Sequence, residues 1–564
     1  MNGRSTSFEV QVLQDQHWVT KQIMSDAALA VEFADNLLSR NNLDAVRVVR
    51  DFARFDGTHN ENVIHEKTGE KAKTDLSVTP VNDAPICLKF EDAYEMPGRM
   101  VMSRLFRRYF DEKLLTPTEL LHHAREMKRL GDEGRLLMMA VDAVAALQAP
   151  GGGAEAKARR DFLFDGWDKI YRRALQAAPE KPLPKHSFSQ LAALVQGAGA
   201  ERRFRLTVLL VSQLLDLRAW QCKLEKVVAW IAELKAPEDM EIMDGLIADL
   251  LMPAEAVQDL MGFQSNLGSA LGHMLDLSEG KADAAKFAPP IFSSLNGLFA
   301  ERQLPQAREA LLQRVSRELR GANALSRNEP AQEFEMFIRL AQRIVGHGGV
   351  FGDPRMVEGL LHRYLRFKNV GGPLGFARAV EEIQEFLGDG CRRTNFLLAL
   401  AQLPTSVTGN GPTALQSLAA MVERKEGIDF WVARGVPPRD RMVALTSCNR
   451  AIKAAKGIDP ALRDDLANAT DDALVRYLED EGVIEKIDKS DDPLAFRALR
   501  LVKFCGSGVL IPGRSMNMAK HRVLAHLRQS NFEEAFLASI PDTQQAEKHL
   551  REFHRLLVES GFNS

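Results

Sequence analysis

The period of the apolar pattern changes once along this chain, near residue 66, and that change constrains the fold more than any other feature. Before it, hydrophobic and polar side chains alternate: in FEVQVL, Phe8, Val10 and Val12 are separated by Glu9 and Gln11. A period of two puts the three apolar groups on one face of a strand. WVTKQI (Trp18 to Ile23) continues the pattern after the polar residues 14–17, so the two runs predict a hairpin. Ser25 stands where an N-cap is expected, ahead of a helical stripe of Ala30, Phe33, Ala34, Leu37 and Leu38. AVRVVRDF and NENVIHEK then supply two further strands around Asp56-Gly57. The expected module is ββαββ over residues 1–66, one helix covering one sheet face.

Past a polar, proline-bearing linker at 67–86 the period becomes 3.6. Trp167, Ile170, Tyr171, Ala174 and Leu175 fall at i, i+3, i+4, i+7 and i+8, which predicts one buried helical face. Capping signals mark helix starts: Thr116-Pro117-Thr118-Glu119, Asn531 with Glu534, and Asp542 with Gln545. Glycine- and proline-rich breaks recur, among them GGGAEAK (151–157), FAPPIF (287–292) and GHGGVFGDP (346–354), without a residue signature at constant spacing. The expected fold class is mainly α: the small N-terminal α+β module followed by an irregular multi-helix body, solenoid-like or bundle. Boundaries are drawn at 87–150, 151–286, 287–492 and 493–564.

The chain has 564 residues, more than one compact core usually supports. A formal net charge of -3 gives no overall attraction to nucleic acid or to an anionic membrane. Five scattered cysteines without a CxxC pair argue against a disulfide framework and a zinc cage, and for a reducing cytoplasm. LTVLLVSQLL (Leu206 to Leu215) is too short to span a bilayer and reads as a buried helix, and no export signal is expected at the N-terminus.

FEVQVLQDQHWVTKQ with AVRVVRDF resembles an N-terminal module of uncharacterised bacterial proteins, and FRRYFDEKLLTPTELLHHA and GGVFGDPRMVEGLLHRYLRF are similar to helical segments found with it. The resemblance implies a strand-rich module followed by a helical body, and no known activity.

No catalytic set, metal site or cofactor is expected. Glu119 with His122 and Glu358 with His362 have metal-ligand spacing, but each reads as a solvated helical face without further ligands to complete a site. Cys505, beside Ser507, continues the apolar run of Phe496, Leu499 and Val502 and reads as core. The Gly506–Gly508 stretch follows a helix and reads as its left-handed end. From Pro493 to Phe532 there is no acidic residue, yet seven lysines and arginines occur. Within this window Arg514, Ser515, Lys520, Arg522 and Arg528 are the candidate anion-binding residues, because a helix N-terminus beside them favours negative charge. Their basic groups do not share one stripe of the helical wheel, which disfavours nucleic acid. The acidic segment Asp471 to Asp492 or a protein partner is the simplest counter-charge, and a small anion the next. The expected function is a non-enzymatic cytoplasmic adaptor or scaffold that binds protein partners through its helical body. The alternative is a regulatory protein sensing a small anion or nucleotide near the C-terminal basic segment.

Overall fold

The computed structural model describes residues 6–14, 17–40, 45–53, 59–68, 77–133, 135–180, 186–286, 288–326, 330–368, 372–403, 411–424 and 426–562. The Asp56-Gly57 turn and most of the 67–86 linker's first half lie outside them. The chain divides into two compact units, Met1–Val78 and Thr79–Ser564; it is mainly helical, with a small antiparallel sheet near the N-terminus.

In the first unit β1 (Thr6–Gln14), β2 (His17–Met24), β3 (Ala45–Ala53) and β4 (His59–Thr68) form a sheet in the order β2-β1-β3-β4. The alternation read in the sequence sets the register: Val10 lies opposite Val48 and Val12 opposite Val46, and all four are buried under α1 (Ala27–Arg40) with Ala30 and Ala34. On the other face Arg47 donates to Gln11 at 2.8 Å and lies over the Trp18 ring at 4.3 Å. The helix is capped by Asp26, whose carboxylate accepts from Leu29 N at 2.9 Å, and not by Ser25. β4 runs two residues past 66, and Lys67 pairs with Asp35 of α1, so the module's edge lies later than the sequence suggests.

The second unit starts inside the expected linker. Thr79 N donates to Leu105 O at 2.9 Å, and the extended stretch from Thr79 to Lys89, here called the strap, lies against helices of the body. One hydrophobic core runs from Phe188 to Phe553, so the breaks near 287 and 493 are turns within one body. Thr116 and Glu119 form the expected capping box. Asp542 caps the last helix, whereas the Asn531 side chain makes no cap bond. The helix Gly153–Ala177 buries Gly166, Ile170 and Ala174; Trp167 is half-buried and Leu175 exposed, so the buried face is rotated from the expected one. Among the described residues no helix is long and apolar enough to cross a membrane.

Candidate functional site

The C-terminal basic window does not converge on one site. At the start of the helix Arg514–Leu527 the place of an anion is taken by Asp471: its carboxylate accepts from Arg514 N (2.6 Å), Ser515 N (3.1 Å) and Ser515 Oγ (2.6 Å). Backbone N–H groups and the helix dipole hold this buried carboxylate as they would hold a ligand. Arg514 pairs with Asp472. Arg522 turns to the buried Asp488 at 3.0 Å, where His526 (2.9 Å) and Arg497 (2.8 Å) also meet. His526 is itself buried, because that carboxylate needs several donors to be desolvated. Lys520 donates to Gly561 O at 3.0 Å and stands over the Phe562 ring, and Arg528 is exposed. The acidic segment Asp471–Asp492 thus supplies counter-charges within the chain.

The other sequence candidates are likewise engaged. Glu119 and His122 are buried instead of solvated. Glu119 meets Lys223 at 2.6 Å, and His122 Nδ1 bonds Thr118 O at 2.8 Å between the rings of Tyr94 and Phe204. Glu358 and His362 lie 3.6 Å apart on a more exposed face. Burial pushes the Cys505 thiol up to about 11, so it carries little thiolate. Gly508 adopts φ +73° just past the helix Leu494–Gly506.

The arrangement that stands out is a cleft lined by arginines that the sequence reading did not single out. Its axis is the helix Pro305–Arg320, whose N-terminus is held by the Asp244 carboxylate accepting from Gln306 N (2.8 Å) and Ala307 N (2.9 Å). Arg314, Arg317 and Arg320 recur every three residues along it and so share one face. The helix Arg355–Lys368 crosses close by at Gly359, where an added Cβ would stand 3.1 Å from Leu319 Cβ and 3.3 Å from Ser316 O. That approach brings Arg355 to the cleft. The helix Met96–Leu105 contributes Ser103 and Arg104, and the strap contributes Pro80 to Asp83.

The cleft has two lobes that share part of their lining. The larger, about 360 Å³, is lined by Arg104, Arg314, Arg317, Arg320 and Arg355. The smaller, about 130 Å³, shares Arg104, Arg314 and Arg317 and adds Arg107 and Thr116. Two wall carboxylates face the cleft's own arginines, Asp83 pairing with Arg104 at 2.5 Å and Asp111 standing 3.8 Å from Arg107, and the others are spent elsewhere. Asp249 faces Arg99 at 3.2 Å, Asp353 accepts from Arg355 N at 2.7 Å, and Glu309 accepts from Gln313 at 2.8 Å. Arg314 donates to the carbonyls of Met252 and Pro253. Among the described residues, Arg317 has no carboxylate within ion-pair distance and no hydrogen-bond acceptor for its guanidinium.

Helix-end duty does not explain Arg317. The terminal carbonyls are taken by others: Arg363 donates to Leu319 O (2.9 Å), Glu318 O (2.5 Å) and Asn323 O (2.5 Å), and Arg366 to Gly321 O. Burial first, and then the like charge of Arg317 and Arg107, push Arg314 down to about 10. Burial also lowers Arg317, against the opposite pull of Glu318, with Arg107, Arg104 and Arg320 adding to the fall. Arg317 presents much of its surface to solvent and lines both lobes. Arg104 leaves its buried Nε without a partner. Crowded cations with unused donors suit an anion.

On the far side of the strap lies an apolar cavity of about 130 Å³ walled by Phe90, Phe106, Phe162 and Trp167. It lacks convergent polar groups. No protein-family model, curated protein or solved structure matches this chain.

Proposed function

We propose that this protein binds a small anionic ligand in the arginine cleft of its helical body and acts as a ligand-dependent regulatory protein. The observation that carries the reading is Arg317, a cation that lines both lobes, with no partner of its own among the described residues and five other arginines around it. This keeps the anion-sensing alternative drawn from the sequence and moves it away from Arg514, where Asp471 already occupies the helix end. The scaffold reading has one observation in its favour: Ile86 and Leu88 on the strap stand 63% and 81% exposed, an apolar pair available to a protein partner.

Calorimetric titration with inorganic phosphate tests the first reading. Saturable binding that weakens with salt and is lost in Arg317→Ala, while Arg514→Ala binds as the wild type does, is the expected result. Absence of saturable binding, or loss in Arg514→Ala and not in Arg317→Ala, removes it.

A further inference from the structure

We infer that the ligand of this cleft carries two phosphoryl groups, one for each lobe; the inference rests on the anion-binding reading above. Of the three arginines common to both lobes, Arg317 is unpaired, Arg314 is partly engaged by the carbonyls of Met252 and Pro253, and Arg104 by Asp83; with Asp83 displaced they offer enough donors for one tetrahedral dianion. Beyond them the cationic lining differs between the lobes: Arg107 belongs to the smaller, and Arg320 and Arg355 to the larger.

These outer arginines are held loosely. Arg107 stands 3.8 Å from Asp111, Arg320 3.6 Å from Glu358 and Arg355 4.0 Å from Asp83. Such separations exceed those of a charge-assisted hydrogen bond, so each guanidinium keeps donors to give a second anion. A carboxylate carries one charge and two acceptor atoms, too few to engage both lobes. Two phosphoryl groups carry up to four charges and supply acceptors to the arginines of each lobe. The groups can be joined directly, as in a nucleoside diphosphate, or held apart on a sugar; the chemistry recognised is the same.

Binding of orthophosphate, pyrophosphate, ADP and a hexose bisphosphate to the full chain at one ionic strength tests this. Probes with two phosphoryl groups are expected to bind at least about tenfold more tightly than orthophosphate. Pyrophosphate and ADP leading would assign directly joined groups, and the hexose bisphosphate leading would assign separated ones. Arg107→Ala, a change at a half-exposed side chain, should collapse the advantage while sparing orthophosphate, whereas Arg317→Ala should weaken every probe. Equal affinity for all four probes, or an advantage that Arg107→Ala leaves intact, overturns the inference and leaves the anion cleft standing. If no probe binds at all, the cleft reading itself falls.

Discussion

Burial holds His122 neutral down to about 3, against an ordinary value of 6.5, despite the hydrogen bond to Thr118 O that favours its charged form. Between those values the unfolded chain binds a proton that the native state does not, so stability rises with pH and is lost as pH falls below 6.5. At pH 4.5 the loss from this one group is roughly 2–3 kcal/mol. His122→Asn keeps a donor near the Thr118 carbonyl and removes the titration. Urea melts at pH 4.5 and 7.5 should show a smaller difference for the variant than for the wild type; equal differences would mean that His122 is not the acid-sensitive group. At this scale the sequence was partly legible. Thr116 and Glu119 announced a capping box, because capping is local. That Glu119 and His122 are buried was hidden, since it depends on Lys223 and Phe204, about a hundred positions away, folding over them. Sequence spacing describes a helix face and says nothing about what covers it.

Among elements, the strap decides how open the cleft is. Asp83 pairs with Arg104 at 2.5 Å and faces Arg355, so a carboxylate of the chain already sits where a ligand's anion would go. Burial pushes the Asp83 carboxyl up, but the hydrogen bond and charge of Arg104, with Arg355 and Arg320 behind it, outweigh this and hold it below the usual carboxylate range. It is therefore ionised at neutral pH and competes for the same arginines. Asp83→Asn should tighten phosphate binding by about three- to tenfold, because the cleft no longer has to give up an internal anion first. Unchanged or weaker binding by calorimetry would show that Asp83 shapes the site without competing for it. The helix Pro305–Arg320 also shows why the cleft escaped a reading by composition. Its arginines recur every three residues at 314, 317 and 320, but Glu309 ahead of them and Glu318 among them keep the local charge unremarkable. The 493–532 window, free of acids, drew attention although its counter-ions lie one or two helices upstream. Angular position on the helix was the informative signal; local charge density was not.

At the scale of the whole molecule the change of period did mark two kinds of structure, because strand and helix periodicities are properties of the backbone. The boundary did not follow, since which residues of a polar linker pack is settled by distant surfaces such as Leu105 and Arg104. Among its described residues the first unit buries completely just Val10, Val12, Ala30, Ala34, Val46 and Val48, a small core, so it should be the less stable of the two. Scanning calorimetry of the full chain is expected to show two transitions, the lower one absent from a fragment of residues 79–564. A fragment of residues 1–78 should melt cooperatively, and one of residues 1–66, cut before Lys67 and Thr68, at a lower temperature. A single transition in the full chain would mean that the units unfold together.

The strap is fastened at separate points: Thr79 N to Leu105 O, Asp83 to Arg104, Pro85 O to Gln148 and Cys87 O to Arg159. No helix precedes these bonds within the unit, so tension arriving along the chain ahead of Thr79 loads them before it loads the body, and they can yield in turn because each is an isolated contact. The second to go frees Arg104. Pulling the chain from its N-terminal end should then give small early ruptures and a higher affinity for phosphate before any helix unravels.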